Sequence, residues 1–222
     1  MKPVIYLISG LGADERAFGK IRFGEYETVP LRWIKPLKKE SLADYALRLS
    51  AGIDRGRPAI IVGVSLGGMM AMEICKEIQT VHTIIISSIK TKEEEPAYFR
   101  WFRWFPVYKL IPNYFLVHTD MILRFLFPGA AIRKWGTLFM EMLRANDPVF
   151  LKWAMGAALH FSNREIPPQV THIHGTSDHV FPHQPIKNYI PVKHGSHVMV
   201  FTRGTEIGEI IRGVLNEKAP AA

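Results

Sequence analysis

The chain has one cysteine in 222 residues, Cys75, so no disulfide can form within it or hold its fold together. It also has no apolar run approaching the roughly 20 residues that a membrane-spanning helix requires. The opening apolar run Val4–Ile8 is too short for a secretory leader and reads as a core strand. Internal repeats and low-complexity tracts are absent, which excludes a solenoid or a long disordered linker. Acidic residues are the minority charge: 20 Asp and Glu stand against 28 Lys and Arg, for a formal charge of +8. The cations are dispersed and form no long basic run, so the excess is read as a solubility feature and no nucleic-acid partner is expected. The lone thiol is compatible with a reducing compartment, so a cytoplasmic location is expected, with Cys75 packed as a small core hydrophobe.

Hydrophobic residues make up 48% of the chain and charged ones 22%, the balance of a globular domain that buries roughly 70% of the surface its unfolded form exposes. Strand-like runs at Val4–Ile8, 26–33, 59–62 and 81–87 alternate with helix signals, which implies a parallel sheet with helices on both faces. One such helix begins near Ser41. Leu42, Ala46, Leu49 and Ile53 line one side, Ser41 is placed to cap it, Asp44 lies in its first turn, and Gly52 and Gly56 suit its end. From 88 to 165 strand alternation disappears, and the span holds four of the five tryptophans and nine of the thirteen phenylalanines. Pro96, Pro106, Pro112, Pro128 and Pro148 cut it into short helices. The sheet resumes at Val170, and a last helix at 205–217 carries the apolar stripe Ile207, Ile210, Ile211 and Val214.

The most informative stretch is Ile60-Ile61-Val62-Gly63-Val64-Ser65-Leu66-Gly67-Gly68, a strand, a tight turn and a helix start with serine at the apex. This is the pattern G-x-S-x-G, in which the serine sits in strained backbone and its flanking glycines leave room for a strand and a helix to close on each other. In the following helix Glu73, Lys76, Glu77 and Thr80 fall on one polar stripe. Three further segments stand in a telling order: Ser9-Gly10-Leu11-Gly12 after the first strand, Gly175-Thr176-Ser177-Asp178 after the strand at 170–174, and Gly195-Ser196-His197 beyond it.

These segments, spread from Ile5 to about Phe201, make the chain resemble the α/β-hydrolase superfamily. The resemblance implies an α/β-hydrolase fold: a mostly parallel central sheet, helices on both faces and an inserted helical cap. It divides a single 1–222 domain into core segments 1–88 and 166–222 and a cap at 89–165. It implies Ser65 as nucleophile, Asp178 as acid and His197 as base, with the backbone N–H groups of Leu11 and Leu66 as the oxyanion hole. Ser9-Gly10 stands where many relatives have His-Gly, and the donor belongs to the residue that follows.

A serine hydroxyl needs a base to take its proton during attack, and that base needs a carboxylate to hold its tautomer. The expected activity is therefore hydrolysis of apolar carboxylic esters or thioesters through an acyl-serine, with no cofactor and no metal. Two alternatives use the same fold: a small-molecule receptor without catalysis, and a C–C hydrolase or lyase. A dehalogenase is disfavoured because that chemistry ordinarily places Asp where this chain has Ser65. Six of the nine histidines lie between His172 and His197. His172 and His174 fit one strand face and His179 and His183 one helical face, yet no cysteine and few carboxylates complete a ligand set. The run from Arg100 to Lys109 interleaves cations with aromatics. It is expected to be a cap helix burying its aromatic face, with peripheral membrane contact as the alternative.

Overall fold

The computed structural model describes residues 1–118, 120–127 and 130–218. Six strands form one sheet: β1 (Val4–Ile8), β2 (Glu27–Pro30), β3 (Ala59–Val64), β4 (His82–Ile86), β5 (Val170–Gly175) and β6 (Ile190–Val192). Their order is β2-β1-β3-β4-β5-β6, with every pair parallel. Every residue of β1, β3 and β4 is buried, which is why these strands read as continuous apolar runs rather than alternating ones. β2 is an edge strand, three of its four residues are exposed, and it is shorter than the 26–33 run, its contact with β1 ending where the Leu31 N–H donates to the Leu7 carbonyl at 2.9 Å. The chain leaves β1 toward one edge and returns to its other side at β3. The crevice beyond the strand ends at that reversal is where such sheets place ligands.

α1 (Leu42–Leu49) begins as its sequence requires: the Ser41 hydroxyl accepts from the Asp44 N–H at 3.1 Å and donates to the Asp44 carboxylate at 2.6 Å. It ends four residues before Ile53, which is buried in extended backbone after a 3₁₀ turn at Ser50–Gly52. α2 (Leu66–Glu77) packs against β3, β4 and α1 and is buried from Leu66 to Cys75. The expected polar stripe of α2 is only partly real. The helix stops at Glu77, Glu73 is buried with Lys76 on its carboxylate at 2.5 Å, and Thr80 lies beyond the helix bonded to Thr83. Burial pushes the Cys75 thiol up to about 11, as suits a core hydrophobe rather than a reactive thiol.

Between β4 and β5 no strand occurs among the described residues. The segment is built from α3 (Ala97–Trp104), a 3₁₀ turn (Val107–Lys109), α4 (Asn113–His118), α5 (Met121–Leu126), α6 (Ala130–Ala145) and α7 (Pro148–Leu159). Pro96 precedes α3, Pro106 the turn and Pro112 α4, while Pro148 opens α7 behind the Asp147 cap. Pro128 lies outside the described residues. α3 departs from the expected buried aromatic face: Phe99 is buried and Phe102 half-buried, but Trp101, Trp104 and Phe105 are exposed. A short helix on the surface has too little core beneath it to cover so many rings. The chain closes with α8 (Met199–Thr202) and α9 (Gly204–Lys218).

Glycine matters most where β3 meets α2. A Cβ on Gly63 would lie 2.2 Å from the Gly67 carbonyl oxygen, and one on Gly67 would lie 2.2 Å from that of Ile8. Backbone cannot give way there as a side chain could. Gly63→Ala should therefore lower the unfolding free energy by about 3 kcal/mol or more in urea titration. Gly213, exposed on α9 with open space around it, should gain about 0.5–1 kcal/mol on replacement by Ala.

Candidate active site

Ser65 stands between β3 and α2 at φ 54° and ψ −116°, a backbone conformation unfavourable for any residue with a Cβ. Hydrogen bonds lock it. Its N–H donates to the Ile86 carbonyl at 2.9 Å, and its own carbonyl accepts from Gly68 N–H at 2.9 Å and from the Ser88 hydroxyl at 2.7 Å. The side chain does not cap the helix, so the hydroxyl is free for another partner. That partner is His197, whose Nε2 lies 2.9 Å from Ser65 Oγ.

The other face of the imidazole meets Asp178, with Nδ1 2.9 Å from Oδ2 and 3.2 Å from Oδ1. Asp178 also accepts the backbone N–H groups of Val180 and Phe181 at 2.9 and 2.8 Å. Burial disfavours its charge, but His197, His174 and the Phe181 N–H outweigh that and hold the carboxyl below its usual range. An ionised carboxylate can only accept, so Nδ1 carries the proton and Nε2 presents a lone pair to the serine hydroxyl. Three residues far apart in the chain, each placed by the loop after a strand, thus form one hydrogen-bonded line.

The loop after β1 crosses the front of Ser65, where the Gly10 Cβ position lies 3.4 Å from Ser65 Cβ. Ser9 is buried, and its hydroxyl donates to the Ala13 carbonyl at 2.9 Å, while Ala13 N–H donates to Gly10 at 3.1 Å. Gly12 follows at φ 74°. Leu11 borders the same cavity as Ser65, and Leu66 opens α2, where the first N–H groups of a helix have no partner within it.

Ser65 and His197 open into a cavity of about 380 Å³. Among the described residues that line it none is charged, and its walls include Leu11, Met69, Phe99, Phe139 and Met155. The Tyr98 hydroxyl at its rim is already committed to the Val180 carbonyl at 2.6 Å.

Two members of the histidine-rich segment, His172 and His174, lie buried behind the site. His172 and His174 share one face of β5 as expected, and their rings touch, with Nε2 of the first 3.1 Å from Nδ1 of the second. His179 and His183 do not share a helical face, because residues 178–187 turn irregularly and form no helix. Lys90, which sequence reasoning overlooked, is buried beside them. Its ammonium donates to the Lys187 carbonyl at 2.6 Å, the Glu94 carboxylate at 2.8 Å and His172 Nδ1 at 3.1 Å. An ammonium has only donors, so the direction of the whole chain follows. His172 must accept at Nδ1 and donate from Nε2, and His174 must accept at Nδ1 and donate from Nε2 to the Phe181 carbonyl at 2.9 Å. The same Nε2 lies 3.7 Å from Asp178 Oδ2. The Lys90–Glu94 spacing is that of any exposed helical pair, so nothing in sequence marked it as buried.

The matching family model spans residues 9–209 and describes an alpha/beta hydrolase family. The chain belongs to that family. A search among curated proteins finds no match. Among solved structures, the enol-lactonase from Burkholderia xenovorans LB400 is similar over 97% of this chain and 92% of its own, with a TM-score of 0.76 at 14% identity. A thermophilic esterase from Thermogutta terrifontis is similar over 98% and 90%, with a TM-score of 0.67 at 14% identity. A hydrolase from Pseudomonas aeruginosa PA01 is similar over 99% and 91%, with a TM-score of 0.67 at 15% identity. At such identities the likeness is one of fold. For this alpha/beta hydrolase, family and neighbours together support hydrolase activity in general terms.

Burial holds His172 well below its ordinary pKa, with the Lys90 charge adding to it, and burial also lowers His174 and His82. The unfolded chain therefore binds more protons than the folded one once pH falls below about 6.5. This stability is full above that value and is lost as pH falls toward the depressed folded values. Thermal unfolding should show Tm dropping between about pH 7.5 and pH 5. His172→Gln, although less stable at neutral pH, should flatten the dependence by up to about 1.4 kcal/mol per pH unit. An unchanged slope would contradict this assignment.

Proposed function

We propose that the chain is a serine-dependent hydrolase of apolar carboxylic esters or thioesters, with Ser65 as nucleophile, His197 as base and Asp178 as acid. One observation carries this reading: the Ser65 hydroxyl bonds to an imidazole that a buried carboxylate orients, at the floor of an uncharged cavity. Ser65 Oγ attacks the carbonyl carbon while His197 Nε2 takes its proton, and Asp178 stabilises the imidazolium as it forms. The carbonyl oxygen gains negative charge as the tetrahedral intermediate forms, and the N–H groups of Leu11 and Leu66 stabilise it. His197 then gives the proton to the leaving alcohol or thiol, and water deprotonated by the same imidazole releases the acid from Ser65. In this reading segments 1–88 and 166–222 form the core, and 89–165 form a cap whose rings select an apolar substrate over a phosphate or a free amino acid.

On a panel of activated esters of graded acyl length, Ser65→Ala should lower kcat on the order of 10⁶-fold. Asp178→Asn should cost about 10⁴-fold, because an amide no longer selects the productive tautomer. A fluorophosphonate should add one adduct to the wild-type mass and none to that of Ser65→Ala. A wild-type protein that the reagent leaves unmodified and that turns over no ester would point to a ligand-binding role instead.

A further inference from the structure

The segment that walls the cavity also presents a second, unused apolar face to solvent. Seven of the twelve large hydrophobic side chains that are exposed among the described residues fall between 101 and 115. Trp104 and Leu110 stand out at 82% and 83% exposure, with Trp101, Phe105, Val107 and Phe115 beside them in sequence. α3, the Val107–Lys109 turn and α4 all pack on α7, so their outward sides belong to one layer. The inward sides of that layer include Phe102, Tyr108 and Ile111 on the cavity wall. So dense a cluster of exposed rings on a soluble domain marks a surface that is covered in use.

The charges around it select the occupant. No acidic residue occurs between Glu95 and Asp120. Glu95 is itself held by both terminal nitrogens of Arg103 at 2.6 and 2.8 Å. Arg100 and Lys109 are exposed, and Lys152 of α7 reaches the Lys109 carbonyl at 3.1 Å. A second copy docking through a two-fold axis would bring this patch against itself, cations included, with no carboxylate of the segment left to offset them. An anionic lipid surface instead offers apolar depth for the rings and phosphates for the ammonium groups. We propose that the layer formed by α3, the Val107–Lys109 turn and α4 docks on an anionic lipid surface, with Trp104 and Leu110 entering the headgroup boundary. Transfer of an apolar substrate from that surface into the cavity rests on the hydrolase reading, whereas docking does not.

The test is co-sedimentation of the full chain with vesicles of phosphatidylcholine alone or mixed with phosphatidylglycerol, together with tryptophan emission. Wild type and Ser65→Ala should bind the mixed vesicles alike at low salt, shift emission to the blue and release as salt rises. Trp104→Ser combined with Leu110→Ser should weaken binding at least about tenfold while keeping the wild-type unfolding transition, since both side chains lie outside the core. Lys109→Glu should weaken binding to mixed vesicles only. The proposal is overturned if wild type leaves mixed vesicles unbound at low salt, or if the double variant binds as wild type does. It is equally overturned if sedimentation equilibrium shows a wild-type dimer that the double variant dissolves, which would make the patch a self-interface.

Discussion

The structure depends on one close approach, the contact of the first turn of α2 with the ends of β1 and β3. Gly63 and Gly67 come near enough that a single methyl group at either would overlap a backbone carbonyl. That proximity forces Ser65 into left-handed backbone, and neighbouring strand ends hold it there through Ile86 and Ser88. Strain of this kind persists only where its surroundings over-determine it. Here the surroundings are the most deeply buried strands of the sheet and a helix with no solvent face along its first ten residues. The hydroxyl is lifted clear of both elements because the backbone has nowhere else to go.

Two electrostatic regimes meet at that hydroxyl. In front lies a cavity of about 380 Å³ whose described walls carry no charge. Behind lies a buried polar line from Glu94 and Lys90 through His172 and His174 to the Phe181 carbonyl, alongside Asp178. Every donor of the Lys90 ammonium is used, and its lack of any acceptor sets both ring tautomers. Half-satisfied networks of this kind are costly in low dielectric, whereas this one is closed at each link. It ties down the loop that carries Asp178 through the Phe181 carbonyl.

An enol-lactonase and an esterase resemble this chain in fold at 14% identity, so fold alone does not name a substrate. In this chain the helical stretch between β4 and β5 supplies both part of the cavity wall and the exposed aromatic layer.

Much of this was open to reading in one dimension. Strands buried on both faces must be apolar throughout, so β1, β3, β4 and their parallel pairing were visible, as was the Ser41 cap of α1, because capping is local chemistry. That Ser65, Asp178 and His197 would meet was an expectation from the resemblance to the α/β-hydrolase superfamily, and hydrogen bonds join the three side chains. Depth and contact could not be read. Glu73, Lys90 and Glu94 look like surface charges and are buried, while Trp101 and Trp104 look like core and face water. Residue type and spacing record what a few neighbouring residues can do with one another. Which groups lose their water is settled by segments that meet from 80 or more positions away, as Lys90 and His172 do.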